Sequence, residues 1–480
     1  MAQPVHRPEA DGVTVTVVPR RVPDPPPAPP APEGRRRALA LLALCLGNFL
    51  VLLDMTIVNL ALPRIRDDLG GPLGAMEWVA GGYALAVAAF LLGGGSVSDR
   101  IGNDRAFRWG IVGFTALSVA CSLAPGLGFL VVARVAQGVC TALLLPSLLG
   151  LIPHLFEDAG DRARAVSLWA SSGAAAAAAG PLAGGILVDL IGWRSIFCVH
   201  LPLGAAAWLI VRRNVPAAPR RATARLDVPG QVLAVLGLTA LYLALVGRPS
   251  LGWNGAAVGA ATAVGIAALV AFVRVERRRA APLLPPRLFA DRVFSAAVAT
   301  GLLWQFVIFG QLFALSLYLQ TVQQRSALAA GLAFLPMTLV AALLPSPTMR
   351  RLVPRWGFGR TLVAGGVCGL AACAVLLLCG AGSPYWPLGV ALLLLGVFGG
   401  LTLPVVAALV VAHTPPGLSG TGSGVLNTAR QLGGVLGVSV LGSVAGDIGG
   451  SLVGGLHVGA AISAVALTGV VLLARRVVDR

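Results

Sequence analysis

Lysine is absent from this chain: all 36 basic residues of the 480 are arginine. Charge of either sign is scarce, at 11% of residues against the roughly one quarter of an ordinary soluble domain. With 57% hydrophobic residues and a mean hydropathy of +0.85, that scarcity excludes a large water-soluble core and points to a chain built for hydrocarbon. Cysteine is limited to Cys45, Cys121, Cys140, Cys198, Cys368, Cys373 and Cys379. They fall in apolar runs, are odd in number and form no C-x-x-C, so neither a disulfide framework nor a zinc site is expected. They read as small buried hydrophobes. No P-loop, nucleophile elbow or H-E-x-x-H occurs, and the five histidines are scattered. That leaves no nucleotide-driven or hydrolytic chemistry, and no cofactor or metal is expected.

Apolar runs long enough to span a bilayer, roughly 20 residues each, recur about fourteen times from residue 38 onward. The fold class expected is therefore all-α integral membrane. Residues 1–37 are rich in Pro and Arg and read as a disordered tail. The longest charged connections, 212–228 and 274–293, divide the remainder. Residues 38–212 form a six-helix bundle, 213–293 a linker carrying two extra helices, and 294–480 a second six-helix bundle. Placing the N-terminus in the cytoplasm puts 29 arginines on the inner side and five outside (Arg64, Arg66, Arg194, Arg248 and Arg325), with Arg134 and Arg430 inside spans. This positive-inside bias accounts for the formal net charge of +17 without nucleic acid as a partner, and an even number of spans returns the C-terminus to the cytoplasm. A weak internal echo joins Arg100-Ile101-Gly102 to Arg355-Trp356-Gly357, as two related halves would require.

Four segments carry chemistry. The first apolar run holds Leu53-Asp54-Met55-Thr56-Ile57-Val58-Asn59, and Asp54 is the only acidic residue well inside any expected span. An ionised carboxylate there costs about 2.5–3.5 kcal/mol on insertion scales, so it marks a functional site by default. The loop Gly95-Ser96-Val97-Ser98-Asp99-Arg100-Ile101-Gly102 places an acid at a helix end between glycines that permit close approach and a tight turn. The fourth run contains Arg134-Val135-Ala136-Gln137-Gly138. Arg134 cannot shed its proton, so it needs a partner, and Asp54 is the natural one. The fifth run reads Gly180-Pro181-Leu182-Ala183-Gly184-Gly185, followed by Gly192-Trp193-Arg194. Its small residues admit a neighbouring helix, and Pro181 frees a carbonyl and bends the helix.

Together these segments resemble the fourteen-helix branch of the major facilitator drug:proton antiporters. The likeness extends through Gln320, Leu335-Pro336 and Asn427-Thr428-Ala429-Arg430-Gln431-Leu432-Gly433-Gly434. Three positions depart from the family pattern: Asn103 and Asp104 stand where basic residues are usual, and Ala176 replaces a glycine. The resemblance implies a major facilitator fold in a bacterial inner membrane. It implies proton coupling at Asp54 and Arg134, and conformational roles for Gly95, Asp99, Arg100, Gly102, Gln137, Gly138, Gly180, Pro181, Gly184 and Gly185. The substrate cavity it implies is lined by Asn59, Gln305, Gln311, Asn427 and Arg430. The function implied is proton-coupled efflux of a hydrophobic or amphipathic organic compound, as in antibiotic self-resistance exporters of the methylenomycin-resistance type. The partners are then that small molecule, protons and the lipid bilayer. A proton-coupled importer of a small nutrient stands as one alternative, and a non-transporting membrane receptor or scaffold as another. With Asp54 as the lone deep acid and Arg134 and Arg430 adding positive charge, neutral or weakly anionic substrates are expected and dications are not.

Overall fold

A computed structural model describes residues 34–478 except 72, 219–226, 280–285, 416–418 and 448–451. The expected tail up to residue 33 lies outside the described residues, and the helix that follows begins at Gly34, four residues inside it. All regular structure among the described residues is helical. In chain order the helices are α1 (Gly34–Leu69), α2 (Leu73–Ile101), α3 (Asn103–Ser122), α4 (Leu127–Leu155), α5 (Ala159–Leu190), α6 (Ser195–Cys198), α7 (His200–Asn214), α8 (Val228–Leu251) and α9 (Gly255–Arg278). There follow α10 (Arg292–Leu317), α11 (Ala327–Ala333), α12 (Leu335–Leu343), α13 (Pro345–Pro347), α14 (Val353–Leu376), α15 (Tyr385–Ala412), α16 (Ser419–Asp447) and α17 (Leu452–Val478).

Among the described residues ten helical stretches are long and apolar enough to cross a membrane, or eleven with the bent pair Met76–Leu91 and Gly93–Ile101 taken as one. The expected count of about fourteen is not reached by that measure. Part of the difference lies in Leu335–Leu376, counted once at 42 residues, whose roughly 63 Å of helix is twice a bilayer core. Its path breaks at Gly357, where φ is 77°. Gly102, between α2 and α3, has φ of 96°, so both glycines of the Arg-x-Gly echo occupy backbone space that an L side chain rarely enters.

Polar residues fix where several helices begin. Asp158, Asp227, Asn254 and Ser326 each accept a hydrogen bond from a backbone N–H three residues on, satisfying donors that a helix start leaves free. Asp291 accepts from the N–H groups of Val293 and Phe294, and from His413 at the end of α15. Burial pulls its carboxyl upward, but the Phe294 N–H, His413 and the Val293 N–H outweigh it and hold the group below the usual carboxylate range.

The packing repeats. α1 packs on α5 and α7, α2 on α4, and α3 on α4 and α7. Farther along, α10 packs on α16 and α17, α12 on α15, and α14 on α15 and α17. Position for position this is one arrangement used twice. α8 and α9 pair with each other, and α8 leans on α2. There Gln231 donates to the Ala89 carbonyl at 2.7 Å and Tyr242 to the Glu77 carbonyl at 3.1 Å.

The two groups of helices meet along two seams, α2 against α16 and α5 against α11 and α12. In the second, backbone touches backbone. A Cβ on Gly185 would stand 2.6 Å from the Ala327 carbonyl oxygen, and one on Gly331 would strike that of Pro181. Asp189, one turn beyond Gly185, accepts the N–H groups of Ala327 (3.2 Å) and Leu328 (2.8 Å) at the start of α11. Ser316 donates to the Asn59 carbonyl at 2.8 Å. These contacts lie toward the helix ends remote from the Arg-rich loops. Toward the Arg-rich ends α5 turns mostly exposed faces outward, with residues 166–168, 170 and 171 all open.

Removing the Asp189 carboxylate withdraws two charge-assisted hydrogen bonds, about 1.5–3 kcal/mol each at most. In a cysteine-free background, Asp189→Ala is expected to speed labelling of a cysteine at Leu328 by a membrane-impermeant maleimide. Unchanged labelling would mean that Asp189 does not hold this seam.

Candidate functional site

Within the first helix group, small residues bring α1, α2, α4 and α5 into close contact. A Cβ on Gly138 of α4 would sit 2.5 Å from the Tyr83 carbonyl oxygen of α2, and one on Gly94 would meet the Ala142 carbonyl of α4. Gly94 rather than the expected Gly95 therefore carries the close approach; a Cβ on Gly95 has 3.8 Å of clearance from Pro146. In the α1–α5 contact a Cβ on Gly180 would strike the Thr56 hydroxyl, and one on Gly184 would stand 3.0 Å from the Ile57 carbonyl oxygen. Pro181 lies within α5, its carbonyl beneath Gly331.

Inside this packing lie Asp54 and Arg134, at 0% and 1% exposure. The Arg134 Nη1 donates to both Asp54 oxygens, at 2.8 and 2.7 Å, and to Gln137 Oε1 at 2.7 Å. Its Nε donates to the Val79 carbonyl at 3.0 Å. The guanidinium lies 4.3 Å from the centre of the Tyr83 ring. The network runs on: Gln137 Nε2 donates to Ser118 Oγ at 3.3 Å, and Ser118 Oγ is 2.7 Å from His200 Nδ1. His200 returns to Asp54, its Nδ1 3.8 Å from Oδ1. Thus a carboxylate, a guanidinium, an amide, a hydroxyl and an imidazole form a polar ring in an apolar bundle, hydrogen-bonded at every link except the 3.8 Å approach of His200 to Asp54. Such a ring satisfies an internal charge pair without water and supplies groups able to pass or hold a proton.

His200 and Glu77 were not singled out in the sequence, although an ionisable residue within a span is itself a signal. His200 belonged to the scattered histidines. The second apolar run is expected over 78–97, one residue after Glu77; α2 starts at Leu73 and carries Glu77 inside, at 1% exposure. Its Oε2 has no hydrogen-bond partner among the described residues. Asp54 is therefore not the only buried acid, and an argument against dications cannot rest on its being alone.

At the Arg-rich end, Asp99 and Arg100 are exposed, and neither forms an ion pair among the described residues. The departures from the family pattern have structural uses. Asn103 accepts from the Ser98 hydroxyl at 2.6 Å. Asp104, 2% exposed, pairs with Arg108 and accepts the Ala218 N–H at 3.0 Å, holding the chain that leaves α7. The Trp193 and Arg194 side chains both donate to Asp68, tying the α5–α6 turn to the end of α1.

Beside the charge pair a small pocket lies between the two helix groups. It is lined by Met55, Val58, Asn59, Tyr83, Ala84, Arg134, Phe309, Gly434 and Val438, among others. Its free volume of about 20 Å³ admits a single water and no drug-sized molecule. Of the expected cavity residues, Asn59 lines it, with Oδ1 unpartnered among the described residues. Arg430 donates to Gln305 at 3.2 Å and Asn427 at 3.3 Å, one helical turn away from Gly434. Gln311 does not belong there. Two residues on from Phe309, it is turned about 200° around α10, and it donates to Ser463 of α17 at 2.9 Å.

Deleting one partner of the buried pair strands the other. Arg134→Gln is expected to cost about 3–5 kcal/mol of stability, and the double variant Asp54→Asn/Arg134→Gln clearly less. Thermal unfolding in detergent measures both; equal losses would mean that the two charges are not coupled.

Known proteins resemble this chain along most of its length. The Major Facilitator Superfamily pattern matches residues 44–438. The chain is 35% identical over 418 residues to the methylenomycin A resistance protein of Streptomyces coelicolor, covering 86% of this chain and 87% of that one. It is 36% identical over 446 residues to the puromycin resistance protein pur8 of Streptomyces alboniger, covering 92% and 86%. A crystal structure of a peptide transporter POT in complex with sulfate shares the fold, with a TM-score of 0.68 at 15% identity over 91% of this chain and 94% of that one. With its repeated helix packing and its match over most of its length, the chain belongs to the Major Facilitator Superfamily.

Proposed function

We propose that this multi-pass membrane transporter is a proton-coupled exporter of hydrophobic or amphipathic organic compounds, working in a bacterial inner membrane with both termini in the cytoplasm. The observation that carries the proposal is the Asp54–Arg134 pair, bonded at 2.7 Å, fully buried, with Arg134 lining the pocket between the two helix groups. A receptor or scaffold has no use for an ion pair whose loss is this costly; a coupled carrier does. The resistance and export names of the relatives support efflux rather than uptake.

Protonating Asp54 removes its negative charge and leaves Arg134 without a counter-ion. The side chains around it, Gln137, Tyr83 and the Val79 carbonyl, then have to rearrange or admit water. A proton moving down the gradient supplies about 2.3 kcal/mol per 100 mV and about 1.4 kcal/mol per pH unit. Those sums are comparable with the cost of disturbing a buried pair. His200, bonded to Ser118 and near Asp54, is suited to pass the proton along the ring. Rigid rocking of the halves requires the seams to separate cleanly. Gly185 and Gly331 suit that purpose because backbone contacts come apart without disentangling long side chains.

In everted vesicles energised by a proton gradient, with a panel that includes methylenomycin A and puromycin, the wild-type chain should accumulate at least one compound. Asp54→Asn should insert normally and reduce this accumulation to background. Undiminished gradient-driven accumulation by that variant at equal expression would contradict the assignment of Asp54.

A further inference from the structure

Arg430 is the one described arginine deep in the second helix group, and it has no acid. It lies near the middle of α16, half-buried, and forms no ion pair with any described residue. Its two hydrogen bonds go to neutral amides and are long: Nε to Gln305 Oε1 at 3.2 Å, Nη1 to Asn427 Oδ1 at 3.3 Å. The guanidinium carbon is 5.2 Å from the centre of the Trp304 ring. A guanidinium presents five donors in a fixed fork and stays charged at any accessible pH. Such a group inside a membrane protein calls for an anion or for water.

The helical register says where this fork faces. Arg430, Gly434 and Val438 are spaced at i, i+4 and i+8, so they share one face of α16. Gly434 and Val438 line the pocket beside Arg134. On α10, Gln305 precedes the pocket residue Phe309 by the same four residues. Arg430 and Gln305 therefore sit about one turn, some 5.4 Å, from the pocket toward the Arg-rich end. The surrounding shell also has polar capacity unused by the protein: Trp304 Nε1 and Thr428 Oγ1 are buried without partners among the described residues.

Arg134 has Asp54 within bonding distance, and Glu77 is not among the pocket-lining residues. Glu77 instead lies against Gly442, about 18 Å along α16 from Arg430, so the uncompensated charge at the Arg430 end of the passage is positive. We propose that Arg430, positioned by Gln305 and Asn427 and flanked by Trp304, is an anion subsite that binds the acidic group, such as a carboxylate, of the transported molecule. The proposal rests on the exporter reading for the word "transported" and on the geometry alone for the word "subsite". A planar carboxylate is matched to the guanidinium fork, and Trp304 gives an adjoining ring a surface to stack on.

The test uses three probes of one shape and different charge: benzoate, benzamide and benzylammonium. Binding to the purified full chain is measured by titration calorimetry, and gradient-driven transport in proteoliposomes by radiolabel. Benzoate should bind roughly ten-fold or more tightly than benzamide, with benzylammonium weakest. Arg430→Gln should abolish the preference for benzoate while leaving the affinity for benzamide; Arg430→Lys, which keeps the charge, should restore part of it. Equal affinity for benzoate and benzamide in the wild type would overturn the subsite. So would an Arg430→Gln variant that loses affinity for both probes alike, since that marks a structural role. Absence of transport with the charge preference intact would count against the exporter reading and leave the subsite standing.

Discussion

A guanidinium and a carboxylate that share a bundle interior with no bulk water must face each other. Everything near Asp54 and Arg134 follows from that constraint. Arg134 cannot neutralise itself by losing a proton, so α1 and α4 are committed to an alignment that delivers Asp54 to within 2.7 Å of it. That alignment is possible because glycine and alanine line the contacts among α1, α2, α4 and α5. A methyl group at Gly138 or Gly180 would collide with the neighbouring helix. Small residues thus set the helix spacing, and the spacing sets the pair.

The same economy operates between the two helix groups. Lipid tails give no hydrophobic drive for helices to associate, so packing and hydrogen bonds must supply the adhesion. Where Gly185 meets Ala327 and Gly331 meets Pro181, close backbone contact gives dispersion energy with little side-chain interlocking, and Asp189 adds two directed bonds. A seam built this way holds firmly and separates without repacking. Carriers that alternate between two shapes need that combination.

Much of the arrangement was legible in the sequence because the membrane makes some residues rare. Asp54 and Arg134 stood out as charges in apolar runs, and the Gly180–Gly185 segment as a cluster of small residues around a proline. The Arg-x-Gly echo also proved structural, since Gly102 and Gly357 both take positive φ. Other residues were hidden for identifiable reasons. His200 carries no obligatory charge, so composition does not flag it. Glu77 sits at a helix edge that hydropathy placed a few residues too late. Asp104 stood out only as a departure from the family pattern, but besides Arg108 its partner is the backbone of residue 218, more than a hundred positions away. The resemblance implies a cavity place for Gln311, yet helical phase turns it toward α17. Partners distant in sequence, and the phase of a helix about its axis, are what the linear pattern does not contain.

On the exporter reading, the charge state of Asp54 governs how the two helix groups meet. Spin labels on either side of the α5–α11 seam, at Leu187 and Leu332, read this directly by pulsed electron resonance. In the wild-type chain the distance distribution should differ between acidic and alkaline pH. In Asp54→Asn it should be fixed at the acidic distribution whatever the pH. A variant whose distances still shift with pH as the wild type's do would contradict the claim, and the proton switch would then lie elsewhere.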